Sequence, residues 1–285
     1  MESLGPDFII IGFPKCGTTS LVDNLSKHSK INMFYDVGNK ESVYYHTSHY
    51  YKLGKDFYKD KLKPGMVNGE KNPTYIWNTF TLLNIKRRLP NVKVIISLRN
   101  PPDYLYSWYH QLYVNSKCGC EKCKKLAEDK KNGKAEENKV EEQVENKPIK
   151  KLNVKNKKKG KKFDVKLKNK HNKEITFEDF IKFPRQIENS YFVNHIIKAQ
   201  DIFGKENTHI LVQEEYEEDS QKELNKIFKF LGVEEENLKD IVKFKGKRPK
   251  GNIDPKIRVS LVKKYHTHNE QLFKILGNKI EAWVS

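Results

Sequence analysis

The sequence predicts an α/β fold of the P-loop type, a central parallel sheet flanked by helices, and three observations carry that prediction. Phe8-Ile9-Ile10-Ile11 is an apolar run that passes through Gly12-Phe13-Pro14-Lys15-Cys16-Gly17 into Thr18-Thr19-Ser20, so a buried strand meets a tight loop and a helix start. Val92-Lys93-Val94-Ile95-Ile96-Ser97-Leu98 is a β-branched run suited to a strand covered on both faces, and it ends in Arg99-Asn100-Pro101-Pro102-Asp103, a proline-bearing helix start. Strand-like and helix-like segments then alternate along the chain, which implies crossover helices and a sheet whose carboxyl edge binds ligands.

Taken in order, the apolar run predicts a strand over 7–12, and the glycine-closed loop predicts a helix over 18–28. A short strand at 66–69 leads to Glu70, a helix at 75–88 follows Pro73, and the strand at 92–98 feeds a helix over 102–114 that starts on the proline pair. Helices at 176–183 and 190–203, a strand at 208–213, a helix at 217–231, a basic loop at 244–251 and a final helix at 255–276 complete the expectation. The 285 residues are read as one domain, 1–285, long enough to bury a substantial core.

The formal net charge of +18 points to a polyanionic partner, but its distribution qualifies that inference. Residues 117–174 hold 21 lysines against 10 carboxylates, so most of the excess lies in one low-complexity stretch. The stretch 118–173, rich in Lys, Asn and Glu and poor in aromatics, cannot bury enough apolar surface to offset its ordering entropy and is expected to be a disordered insert. It reads first as a solvated expansion and second as an electrostatic collar for a sulfated or carboxylated glycan. Nucleic-acid binding is disfavoured because the lysines lack interleaved aromatics and no recognition motif accompanies them.

The loop at 12–20 is built for an anion. Gly12 and Gly17 let backbone N–H groups approach a ligand, the first helical turn supplies unpaired donors, and Lys15 adds a point charge. A nucleotide-hydrolysing loop would place the lysine directly after the second glycine, where Thr18 stands here. Pro14-Lys15-Cys16-Gly17-Thr18-Thr19 instead resembles the loop of the sulfotransferases. Arg99 and Ser107 keep that family's strand-Arg, Asn-Pro, helix-Ser spacing. Lys40-Glu41 before Tyr44-Tyr45, Glu70-Lys71-Asn72-Pro73-Thr74-Tyr75, the stretch from Tyr191 to Gln200 with Ile210 to Glu214, Phe244-Lys245-Gly246-Lys247-Arg248-Pro249 and Tyr265 to Leu272 are similar to its heparan-sulfate-type glycan branch. The resemblance covers nearly the whole chain except the insert.

The resemblance implies a sulfotransferase-like fold and in-line transfer of a sulfuryl group from 3′-phosphoadenosine-5′-phosphosulfate (PAPS) to a hydroxyl or amine of an anionic glycan. The product nucleotide is 3′-phosphoadenosine 5′-phosphate, and no metal takes part. Carried over residue by residue, Glu70 is the general base and Lys15 meets the leaving phosphate, with Gly17, Thr18, Thr19 and Ser20 cradling the 5′ end. Arg99 and Ser107 hold the 3′-phosphate, Lys245, Gly246 and Lys247 close over the nucleotide, and Lys40 and Lys71 line the acceptor cleft. A bland alternative makes Glu70 a carboxylate favoured by a helix dipole. Relatives often carry Arg where Tyr104 stands, a departure that bears on the acceptor more than on nucleotide binding.

Other chemistries are weighed on the same residues. Cys118, Cys120 and Cys123 would need a fourth ligand such as His110 or His171 to form a structural zinc site, and no spaced second pair is present. Cys16 reads as a small packing residue, and His46, His49 and His110 as ordinary histidines. A P-loop phosphotransferase would need a magnesium site, and a non-catalytic polyanion-binding protein would not need Lys15, Glu70, Arg99 and Ser107 together. No signal peptide is recognisable and no apolar run approaches about 18 residues. The chain is therefore expected to be soluble and either cytoplasmic, a trimmed Golgi-type catalytic domain, or from a microbial or viral source that dispenses with the anchor.

Overall fold

The computed structural model describes residues 5–34, 55–114, 175–243 and 251–284. Lys40, His46, His49, Lys245, Gly246, Lys247 and the segment 118–173 with its three cysteines lie outside them. The chain divides into two compact units, Met1–His110 with Thr176–Ser285, and Gln111–Ile175. The sheet and the candidate site belong to the first.

Five strands, β1 (Phe8–Gly12), β2 (Ile31–Met33), β3 (Val67–Lys71), β4 (Lys93–Leu98) and β5 (Thr208–Val212), form one sheet in the order β2-β3-β1-β4-β5. Every neighbouring pair is parallel. All five residues of β1 are buried, as a central strand covered on both faces requires. β2 was not expected from the sequence; it has only three residues and a polar centre. It is held at the sheet edge by Asn32, whose Nδ2 donates to Asn68 Oδ1 and to the Lys61 carbonyl, both at 2.9 Å.

The described helices are α1 (Thr18–Leu25), α2 (Thr79–Arg88), α3 (Pro101–Tyr109), α4 (Phe177–Phe180), α5 (Pro184–Glu188), α6 (Phe192–Phe203), α7 (Gln213–Glu218), α8 (Ser220–Leu231) and α9 (Pro255–Leu276). Three expected helices need correction. The helix expected at 75–88 is a 3₁₀ turn, Tyr75–Trp77, then α2, because the Asn78 side chain accepts from Thr81 N and caps a fresh start. The helix expected at 217–231 is two, because Asp219 adopts φ −139° and caps Lys222 N, separating α7 from α8. The helix expected to 114 stops at Tyr109 and is followed by a π-helical turn, His110–Val114. The final helix lies where the sequence places it, capped by the Asp254 carboxylate at Lys256 N and Ile257 N.

One face of the sheet packs Phe8, Ile10 and Ile95 against Leu21 and Leu25 of α1 and Leu224, Ile227 and Phe228 of α8. Gly69 is required there, since a Cβ on it would stand 2.2 Å from the Phe8 ring. An aromatic cluster backs the phosphate loop. Phe13 lies 4.5 Å from Phe192 and 6.3 Å from Tyr104 between ring centroids, and Tyr104 is 5.3 Å from Phe192. Tyr104, where the resemblance leads one to expect arginine, is thus a core residue with 1% exposure.

Two half-buried histidines make stability depend on pH. His195 stands edge-on to Phe13 at 5.5 Å, and His209 lies 5.2 Å from Phe230. Burial first, then Lys198, pushes the pKa of His195 down to about 4 from 6.5; burial, then Lys226, does the same to His209. Their folded pKa values lie below the unfolded one, so the neutral rings contribute fully above pH 6.5 and that contribution is lost as pH falls toward 4. The melting temperature should therefore drop across that window, and His195→Gln with His209→Gln should flatten the decline. An equally steep decline in the double variant would contradict this account.

Candidate active site

Three adjacent parallel strands bring the expected chemistry to one edge. β1 lies between β3 and β4, with Ile9 opposite Glu70 and Val94, and Ile10 opposite Lys71 and Ile95. The carboxyl end of β1 opens into the loop 13–17, and Arg99 directly follows β4. Glu70 differs from its expected place by lying within β3 rather than after it, because the strand runs on to Lys71.

The loop has an unusual backbone and is held by β4. Lys15 takes φ 65° and Gly17 φ 76°, the left-handed region, which for a lysine costs roughly 1–2 kcal/mol. Phe13 N donates to the Ser97 carbonyl at 2.8 Å, the Ser97 hydroxyl donates back to the Cys16 carbonyl, and Arg99 Nη1 lies 3.5 Å from the Lys15 carbonyl. α1 then starts at Thr18 with no side-chain cap from Gly17 and no acidic residue in its first turn. Its amino end therefore presents backbone donors and a positive dipole toward the loop.

The charges follow from this placement. Burial lowers the pKa of Lys15, and the nearby Arg99 guanidinium lowers it further. Cys16 is fully buried, and burial pushes its thiol far above the ordinary value, which fits the packing role expected of it. Behind Arg99, the Glu214 carboxylate accepts from Asn100 N at 2.8 Å, and the Asn100 side chain donates to the Ala282 carbonyl at 2.7 Å. Burial raises the pKa of Glu214, against hydrogen bonding and the charge of Arg99. Ser107 is buried on α3.

Glu70 and Lys71 occupy successive strand positions and so face opposite ways. Glu70 is fully buried, and the Tyr58 hydroxyl donates to its Oε2 at 2.8 Å. Lys71, also buried, donates from Nζ to Thr19 Oγ1 at 3.3 Å, so its ammonium stands with the phosphate-loop residues. The turn after β3 is fixed by Asn72, whose N–H donates to the Ile10 carbonyl at 2.9 Å and whose Oδ1 accepts from Thr74 N and Oγ1 at 3.0 and 2.7 Å. Sequence reasoning missed Ser97, Tyr58 and Asn72. Only Ser97 carried a signal, a hydroxyl in an otherwise apolar central strand, which must find a partner when buried.

Comparison with known proteins agrees with this geometry. The family described as "Sulfotransferase domain" matches residues 5–245. The bifunctional heparan sulfate N-deacetylase/N-sulfotransferase 1 of Caenorhabditis briggsae is 30% identical over 110 residues, 38% of this chain and 13% of that protein. The membrane-associated sulfotransferase kil1 of Dictyostelium discoideum is 35% identical over 111 residues, 37% of this chain and 22% of that protein. The chain thus matches less than a quarter of the length of either relative. A crystal structure of a sulfotransferase from Alicyclobacillus acidocaldarius shares the fold, with a TM-score of 0.65, 19% identity and 99% of each chain covered.

The hold of β4 on the loop makes Ser97→Ala informative. The substitution leaves the buried Cys16 carbonyl without its hydroxyl donor, which should cost about 1–3 kcal/mol in urea unfolding. It should also weaken protection of the chain by inorganic phosphate or sulfate. A variant as stable and as anion-responsive as the parent would show the bond to be dispensable.

Proposed function

The chain belongs to the sulfotransferase domain family, and from that premise we propose that it transfers the sulfuryl group of PAPS to a hydroxyl or amine of an anionic glycan, with Glu70 as general base and no metal. The observation that carries the reading is the meeting of two cationic anchors, Lys15 in the loop after β1 and Arg99 after β4, at one sheet edge with Glu70 on the strand next to them. A glycan acceptor is supported by the heparan sulfate relatives, over the portion that matches.

The residues fit a nucleotide with two separated phosphate groups. The uncapped amino end of α1, with Lys15, suits the 5′ side, and Thr18, Thr19 and Ser20 line its first turn; Lys71, expected to line the acceptor cleft, lies beside them with its Nζ 3.3 Å from Thr19 Oγ1. Arg99 and Ser107, two turns further on, would hold the 3′-phosphate, Arg99 as a planar donor and Ser107 through its hydroxyl. Lys245, Gly246 and Lys247 would close over the nucleotide, and Lys40 would meet the acceptor. When bound, PAPS supplies an activated sulfuryl group on a phosphate leaving group. Lys15 offsets the negative charge that builds on that phosphate, and Glu70 takes the proton of the acceptor hydroxyl or amine.

Two comparisons test this. Arg99→Ala should weaken binding of 3′-phosphoadenosine 5′-phosphate much more than binding of AMP, because a charge-assisted contact worth roughly 1.5–3 kcal/mol is lost only where a 3′-phosphate is present. Calorimetric titration without divalent metal measures both, and equal losses would overturn the assignment of Arg99. Glu70→Gln should lower kcat by about 10² to 10⁴ with nucleotide affinity kept, whereas Lys15→Ala should impair both. Full turnover by Glu70→Gln across the pH range would require another base.

A further inference from the structure

We infer that Tyr58 is a positioning residue for Glu70, holding its carboxylate ionised and oriented for proton abstraction; the inference rests on the reading of Glu70 as the base. The Tyr58 hydroxyl donates to Glu70 Oε2 at 2.8 Å, and the two residues have 2% and 0% exposure. Burial by itself penalises the ionised form of a carboxylate, the form a general base needs. A phenol donor acts the other way, because it stabilises the charged form of its acceptor. Proton transfer then runs from the acceptor hydroxyl or amine to the Glu70 carboxylate, and Tyr58 keeps its own proton throughout.

Both partners are fixed from outside the pair. Tyr58 ends a 3₁₀ turn, Lys55–Tyr58, and its carbonyl accepts from Lys61 N at 2.9 Å and Leu62 N at 3.2 Å. Its ring stands edge-on to Phe34 at 5.5 Å and to Phe57 at 5.0 Å, and Lys61 Nζ lies 4.0 Å over the Phe57 ring. Glu70 is held through its strand, with β1 on one side and Phe34 N donating to the Gly69 carbonyl at 2.9 Å on the other. Phe34 therefore braces the tyrosine ring with its side chain and the base-bearing strand with its amide. The neighbouring Lys71 donates to Thr19 Oγ1, and the Tyr58 phenol is a donor that meets Glu70 Oε2 and orients the carboxylate.

The test compares Tyr58→Phe, Glu70→Gln and the double variant, each with PAPS and a heparan-type oligosaccharide, and adds an infrared titration of the Glu70 carboxyl band, assigned by its loss in Glu70→Gln. Tyr58→Phe keeps the ring and its packing. It should lower kcat by about tenfold, leave the KM for PAPS unchanged and move the acidic limb of the kcat/KM profile, and the infrared midpoint, up by about one pH unit. The double variant should be no slower than Glu70→Gln, because Tyr58 acts through the carboxylate. An unmoved limb and band alongside an inactive Glu70→Gln would overturn the inference alone. Full activity in Glu70→Gln would overturn the base reading and, with it, the catalytic role given to Tyr58.

Discussion

The arrangement of the site depends on the attachment of the phosphate loop to β4. A loop that turns its backbone donors and a lysine toward one point is not at rest, since it holds a non-glycine residue at positive φ and places Lys15 near a second cation, Arg99. β4 and the residue after it resist that tendency through three contacts spread over the loop, at Phe13, Lys15 and Cys16, made by Ser97 and Arg99. The same strand therefore shapes the loop and is followed directly by Arg99, whose Nη1 lies against the Lys15 carbonyl. Preorganisation of this kind places the entropic cost in folding rather than in binding.

The charge arrangement complements the geometry. Burial lowers the pKa of Lys15, and the Arg99 guanidinium lowers it further. An anion between them would offset both effects. Glu214 supplies a partial internal counterweight near Arg99 while its own burial disfavours ionisation. Glu70 is kept on the next strand, where the Tyr58 hydroxyl donates to its Oε2.

The parts of this plan that were readable in the sequence are those with local causes. A buried parallel strand must be apolar, an anion loop needs glycine and a helix start, and an arginine directly after a strand stands at the carboxyl edge, so β1, β4, Lys15 and Arg99 were legible. The break at Asp219 and the restart at Asn78 were hidden because each depends on one side chain choosing a backbone amide within three residues. β2 was hidden because three residues with a polar centre carry no periodic signal; its stability comes from Asn32 reaching Asn68 and Lys61 across the sheet edge. Tyr58 lies in a stretch with no pattern, and its meaning arises only from a contact with a strand twelve residues further on.

The sheet order also sets a sequence of events for a growing chain. β1, β3 and β4 pair within the first hundred residues, a stretch that already holds Lys15 in the loop after β1, Glu70 and Lys71 in β3, and Arg99 immediately after β4. The outer edge of β4, however, finds its partner only when Thr208–Val212 has been made, with Val94 opposite Thr208 and Leu98 opposite Val212. The entropy of closing so long a loop grows only slowly with its length, but the wait is real, and during synthesis it leaves Val94-Ile95-Ile96 as an open apolar edge. Unpaired edges of that composition invite association with other chains. Newly made protein should accordingly be more vulnerable to aggregation before β5 docks than at any stage after it, and the finished sheet more robust than its assembly.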